Sequence, residues 1–169
     1  MGGSTFRVAD AHGIRSAPVL LPDGRVFLGG GNGRNFDYEI FSPPYLQLPA
    51  THKPVNVAFQ PAPVVPTLDV DLNAHVLGYD ETYRIQCNTF QALGVTIEKV
   101  VLMAPCSDTH HSDMSQRYFE MGIQDEQRKH AAVGFKTPPN DQQAPRGIYM
   151  LFLVTSSGAV SEAIWVVLR

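Results

Sequence analysis

Charged residues are scarce in this chain of 169 residues: Asp, Glu, Lys and Arg together make up 17% of it, and the formal net charge is -3. Lys and Arg number 13 against 16 acidic residues, and no run of Lys and Arg is longer than two. Proteins that bind nucleic acids concentrate basic residues in clusters, so we expect no nucleic-acid partner. Hydrophobic residues make up 44%, which is enough for a core, and the charge is too low for a disordered chain.

Long apolar runs and cysteines are also lacking. No segment approaches the ~20 apolar residues of a membrane-spanning helix, so we expect no membrane partner. The first residues, Met1 to Thr5, do not have the charged and then apolar pattern of a secretory signal peptide. Cys87 and Cys106 are too few for a disulfide framework, and both one bridge and two separate thiols fit the sequence.

Glycine and proline are abundant by contrast, with 14 and 13 residues, and favour short strands and turns over long helices. After Lys53 the sequence predicts strands at 55–59, 75–78, 82–87, 97–103, 116–121, 131–135, 147–155 and 163–168. The run 149–154 is apolar throughout, which is typical of a strand buried on both faces. Short strands without alternating helices predict an immunoglobulin-like β-sandwich over residues 53–169.

Residues 17–44 have a different pattern. Ala17–Leu21 and Arg25–Leu28 flank a Pro-Asp-Gly turn and predict a hairpin, after which glycines at 29–33 let the backbone bend. Tyr38–Phe41 is a third strand, followed by two prolines. This is the pattern of one blade of a kelch-type propeller, and the sequence contains no second copy of it. Because a propeller needs several blades that pack on one another, one blade alone cannot form one.

Four segments, in this order, resemble the galactose oxidase and glyoxal oxidase family of copper-radical oxidases. Residues 20–27 and 39–46 resemble the family's last propeller blade, and residues 109–117 are similar to a segment of its C-terminal domain. Residues 144–152 are similar to a Pro-Gly-Tyr-Tyr-Met-Leu-Phe-like run near the end of the family's sequences, except that Arg146 stands between the Pro and the Gly.

The resemblance implies an all-β fold. An immunoglobulin-like early-set β-sandwich at 53–169 would follow the remnant of a last kelch blade at 1–52. A full-length parent would be an extracellular or secreted copper-radical oxidase of alcohols or aldehydes. In such oxidases two Tyr and two His hold the copper, and one Tyr is crosslinked to a Cys. One of those His lies on a loop of the C-terminal domain, and by its motif position it is His110 here.

Two positions depart from the family's pattern. A Tyr-His pair is expected eight and seven residues before Pro22, where this chain has Ile14 and Arg15. The crosslinked Tyr and Cys belong to earlier blades. We therefore expect no catalytic residue and no cofactor in this chain alone, and a copper ion only in a full-length parent, with His110 as the candidate metal ligand.

His110 also has a simpler interpretation. Imidazole suits copper, but His110 and His111 are adjacent, so in an extended segment they point to opposite faces. For the chain in isolation, two solvated loop histidines are the simpler interpretation. Asp108 and Asp113 would complete at most a weak adventitious site, and adding Cys106 does not produce the spacing of a zinc site.

These observations predict the C-terminal domain of a galactose-oxidase-like protein that is not catalytic alone. Its partner would be the propeller, to which His110 lends a ligand, and Arg117 would anchor that loop by pairing with a carboxylate. The alternative is a free-standing β-sandwich module that binds carbohydrate or protein and has lost the oxidase chemistry, as Ile14 and Arg15 suggest. An enzyme that works as given is disfavoured, because the earlier blades and the radical Tyr and Cys are missing.

Overall fold

A computed structural model describes residues 17–29, 38–60, 67–69, 71–88, 94–109, 112–124 and 132–169. Within these ranges almost all of the regular secondary structure is β-strand, as the sequence predicts. The strands are β1 (Ala17–Leu20), β2 (Val26–Gly29), β3 (Tyr38–Phe41), β4 (Val55–Phe59), β5 (Thr67–Asp69), β6 (Ala74–Leu77), β7 (Thr82–Asn88), β8 (Ile97–Met103), β9 (Asp108–Thr109), β10 (Ser112–Asp113), β11 (Tyr118–Ile123), β12 (Ala132–Lys136), β13 (Gly147–Thr155) and β14 (Ile164–Leu168). Two short 3-10 helices, Pro44–Gln47 and Ala50–His52, follow β3. No helix in the described part of the chain is long and apolar enough to cross a membrane.

Strands β1, β2 and β3 form a three-stranded antiparallel sheet. The turn between β1 and β2 is the one that Pro-Asp-Gly predicts: Leu21 N–H donates to the Arg25 carbonyl at 2.8 Å, and Gly24 adopts a φ of 82°. The Asp23 carboxylate accepts hydrogen bonds from the main-chain N–H of Arg25 at 3.0 Å and from its guanidinium at 2.6 Å. These local bonds explain why a short sequence signal is sufficient to form the hairpin.

The larger sheet has nine strands in the order β4-β7-β12-β11-β8-β13-β14-β6-β5. Strand β11 changes partner along its length, because 118–121 pair with β8 whereas Gly122 and Ile123 pair with β12. The sheet therefore folds over at β11 into two layers. One layer contains β4, β7 and β12, and the other contains β8, β13, β14, β6 and β5.

The hydrophobic core lies between these two layers. Strand β7 alternates between exposed and buried residues, which is the pattern of a strand with one face on the core. The first layer contributes mainly aromatic and branched side chains, and the second contributes aliphatic ones: Tyr83, Ile85, Val133 and Phe135 face Leu77, Val100, Leu102, Leu151, Leu153, Val166 and Leu168.

Strand β13 is buried on its other face as well, which confirms the prediction from its apolar run. On that outer face Phe152 pairs with Val101 of β8, and both are almost fully buried. The N-terminal segment covers them: Leu20 and Tyr45 line an apolar cavity of about 240 Å³ above these strands. The N–H of Ala163 also donates to the Pro22 carbonyl at 2.8 Å. The first part of the chain therefore packs on the sandwich, although the boundary between 52 and 53 stays a prediction.

Candidate functional site

The candidate site lies in the loop that connects β8 to β11. Inside this loop β9 and β10 form a small antiparallel hairpin, in which Thr109 pairs with Ser112 and Asp108 pairs with Asp113. The candidate ligand His110 and its neighbour His111 lie outside the described residues, so the metal-ligand prediction stays a prediction. Ile14 and Arg15 lie outside them too.

Main-chain hydrogen bonds tie the two sides of the loop together. At its base the N–H of Ala104 donates to the Arg117 carbonyl at 3.1 Å. Further out, the N–H of Met114 donates to the Ser107 carbonyl at 2.9 Å. The residues on either side of 110 and 111 are therefore held on a closed framework.

The carboxylate of Asp113 organises the same framework. One of its oxygens, Oδ1, accepts hydrogen bonds from the N–H of Ser107 at 3.0 Å and from the N–H of Ser115 at 2.8 Å. The Ser107 hydrogen bond is the main reason that the pKa of Asp113 lies below its usual value. Sequence analysis considered Asp113 only as a weak metal ligand, although an Asp two residues before a Ser is compatible with such an Asx turn.

The thiol of Cys106 is held in its protonated form in this arrangement. Burial, followed by the nearby charge of Asp113, raises its pKa, so the thiol keeps its proton at neutral pH. No group of three or more His, Cys, Asp or Glu side chains in the described ranges is arranged to hold a metal ion. The copper ion that the family resemblance implies therefore finds no complete ligand set among these residues.

The two cysteines are separate thiols, which decides between the alternatives that the sequence left open. Cys87 lies on β7 and faces the core, where burial raises its pKa to about 11. Cys106 lies in the loop.

Arg117 has no carboxylate partner among the residues that the structure describes, so the expected anchoring pair stays a prediction. The Arg117 guanidinium makes no ion pair with any carboxylate that the structure describes. Other acidic residues have other partners: Oε2 of Glu120 lies 3.0 Å from Nζ of Lys99, and Oδ2 of Asp141 lies 3.5 Å from Nε of Arg146. Arg117 contributes its main-chain carbonyl to the loop base, and its exposed side chain lines a cavity of about 220 Å³.

Three aromatic residues that could together stack on a sugar, Tyr149, Phe152 and Trp165, are packed in the sandwich instead. Tyr149 faces the core, and its hydroxyl donates to the Pro145 carbonyl at 2.7 Å. Phe152 is buried on the opposite face of β13, and Trp165 is half-buried on β14. The three side chains therefore do not form one exposed platform.

Large apolar side chains are exposed near the candidate loop. Met114, directly after β10, is 68% exposed, and Tyr118, which begins β11, is 57% exposed. Tyr118 pairs with Met103, the last residue of β8, so it lies where the loop leaves the sheet. Ile148 is also exposed and lies at the same end of the sheet, two residues before Met150, which pairs with Met103 as well. Met114, Tyr118 and Ile148 are called the loop-end apolar residues below.

Comparison with known proteins gives consistent matches. The family model "Galactose oxidase-like, Early set domain" matches residues 66–168. Aldehyde oxidase GLOX1 of Arabidopsis thaliana is 28% identical over 167 residues, and a putative aldehyde oxidase, Art an 7, of Artemisia annua is 31% identical over 164 residues. Each alignment covers 89% of this chain and 25% of the relative, so the chain spans about a quarter of their length.

Solved structures with a similar fold include the following example. It is a fungal alcohol oxidase of the AA5 family in complex with copper, with a TM-score of 0.64 and 22% sequence identity. The alignment covers 91% of this chain and 30% of the fungal chain.

Proposed function

The chain belongs to the galactose oxidase-like early set domain family, and from this premise we propose that it is a docking domain at the C-terminal end of a longer oxidase. The family expected from the motifs is thereby confirmed. In this proposal the chain catalyses no reaction alone. It packs on a β-propeller formed by the rest of the parent, with 1–52 as the remnant of the last blade and 53–169 as the sandwich. The family resemblance also leads us to propose an extracellular or secreted location.

The loop-end apolar residues are the observation that carries the docking proposal. Single exposed hydrophobic side chains are ordinary on protein surfaces, but apolar groups gathered around one functional loop are typical of a contact surface. Met114 lies in the loop and Tyr118 directly follows it, while Ile148 lies at the same end of the sheet. A partner that covers these side chains also meets the loop. The relatives are about four times as long as this chain, which leaves room for such a partner.

His110 contributes one copper ligand to the assembled protein in this proposal. Its support is the Thr109-His110 motif and the closed framework on both sides of the loop. The described residues offer no complete ligand set, and in this proposal the other ligands come from the partner. Imidazole is a suitable ligand for copper.

Titration of the purified chain with Cu²⁺, followed by electron paramagnetic resonance, tests whether copper binding needs ligands from a partner. We expect only weak copper binding, with a small decrease in the His110→Ala variant. His111→Ala is the matched control. A tight site of one copper per chain that disappears in His110→Ala and persists in His111→Ala would mean that the chain holds copper without a partner.

The alternative function, a free-standing carbohydrate-binding module, has less support. Tyr149 and Phe152 are buried on opposite faces of β13, so they offer no common stacking surface to a sugar. Binding to a glycan array that is weakened by Trp165→Ala would favour this alternative.

A further inference from the structure

We infer that Asp113 is the positioning residue of the loop that carries His110, an inference that rests on the proposed function of that loop. Its Oδ1 atom accepts hydrogen bonds from Ser107, before β9, and from Ser115, after β10. A single oxygen therefore holds the two ends of the hairpin at a fixed separation.

The loop needs such a device because its hairpin is very short. Strands β9 and β10 have two residues each and form only two cross-strand pairs. Isolated two-stranded hairpins are marginally stable in water even when they are longer. A charged acceptor strengthens its hydrogen bonds, and an Asx turn pre-forms the chain reversal. Asp113 thereby supplies the order that the β-ladder alone does not.

The chain contains its own matched control. Asp108 lies directly opposite Asp113 in the hairpin, has an exposed side chain and makes no hydrogen bond with its carboxylate in the described part of the chain. Asp108→Ala removes the same charge from the same hairpin. Asp113→Asn removes the charge but keeps the Oδ1 acceptor, whereas Asp113→Ala removes both.

The experiment is amide hydrogen exchange by NMR on the 169-residue chain and its three variants. We expect exchange of the Ser107 and Ser115 amides to become roughly tenfold to hundredfold faster in Asp113→Ala, as the loss of a hydrogen bond to a charged group implies. Asp113→Asn should restore most of the protection, and Asp108→Ala should match the original chain. Amides of the core strand β13 should not change, which shows that the effect is local.

The imidazole signal of His110 tests positioning itself. We expect it to shift in Asp113→Ala and to stay near its position in the original chain in Asp113→Asn. An unchanged His110 signal in Asp113→Ala would overturn the inference, as would equal losses in the Asn and Ala variants. If Asp113→Ala does not fold, the original chain decides, because unprotected Ser107 and Ser115 amides there would refute the role.

These measurements contain no copper, so they are independent of the titration described above. If copper binds tightly to the isolated chain, the docking proposal fails. The role of Asp113 is then still decided by the amide exchange rates. If exchange is unaffected, the positioning role fails while docking is untouched.

Discussion

The two faces of strand β13 are both buried, but they are buried by different parts of the chain. On the inner face Leu151 and Leu153 are closed in by the opposite layer of the same sandwich. On the outer face Phe152 is covered by the N-terminal segment, with an apolar cavity of about 240 Å³ left between them. The inner contact is thus a complete core, whereas the outer contact is a looser one. The sandwich therefore has a complete core of its own, and residues before 53 cover part of its outer face.

The largest expected effect is on the inner face. Leu151→Ala leaves a cavity in a fully buried position, and we expect the free energy of unfolding to fall by about 3–5 kcal/mol. Urea unfolding followed by circular dichroism measures it. The matched substitution on the outer side is Leu20→Ala, for which we expect a loss of about 1 kcal/mol, because Leu20 is only half-buried and already borders a cavity. Equal losses would show that the two faces are packed equally well.

A pair of tyrosines compares the hydrogen bonds on the two sides, with expected effects of intermediate size. The hydroxyl of Tyr83 accepts a hydrogen bond from the N–H of Gly78 at 2.9 Å and donates to the Glu81 carboxylate. Tyr83→Phe removes both, and we expect a loss of about 1–2 kcal/mol. Tyr45 makes one hydrogen bond, to the Gly24 carbonyl at 2.6 Å, so Tyr45→Phe should cost about 1 kcal/mol or less. A larger loss of unfolding free energy for Tyr45→Phe than for Tyr83→Phe in chemical unfolding would mean that the stronger tyrosine hydrogen bonds lie on the outer side.

The smallest expected effect concerns pH. Burial lowers the pKa of His75 below the usual 6.5, and its ring packs on Phe59 at 4.7 Å between centroids. The unfolded chain then binds a proton more readily than the folded chain, so protonation favours unfolding. Stability from His75 is complete above pH 6.5 and decreases as the pH falls below it. We expect the free energy of unfolding to depend less on pH between 7 and 5 in His75→Leu. Parallel pH curves for the two proteins would contradict this assignment.

Features that depend on nearby residues were predictable from the sequence. The Pro-Asp-Gly turn forms its hydrogen bonds within residues 21–25. The run 149–154 is apolar throughout, which by itself indicates a strand buried on both faces. The identity of what covers β13 was not predictable, because Leu20 reaches it from more than a hundred residues away along the chain. Long-range packing leaves no local pattern.

In the candidate loop, too, the local features were predictable from the sequence and the longer-range contacts were not. The predicted strand at 116–121 is shifted to Tyr118–Ile123, since Gln116 and Arg117 lie in the loop base. The carboxylate expected for Arg117 is absent among the described residues, and Asp113 holds the loop in its place. Which donors surround Asp113 depends on how the hairpin closes, and the sequence only shows that an Asx turn is allowed.

Oxygen consumption by the purified chain is the most direct test of the central claim, which is that this domain needs a partner for oxidase chemistry. The chain is loaded with Cu²⁺ and supplied with an alcohol or an aldehyde. We predict no consumption above that of the same Cu²⁺ in buffer. Sustained consumption that is lost in His110→Ala and kept in His111→Ala would contradict the claim, because the chain would then be an oxidase by itself.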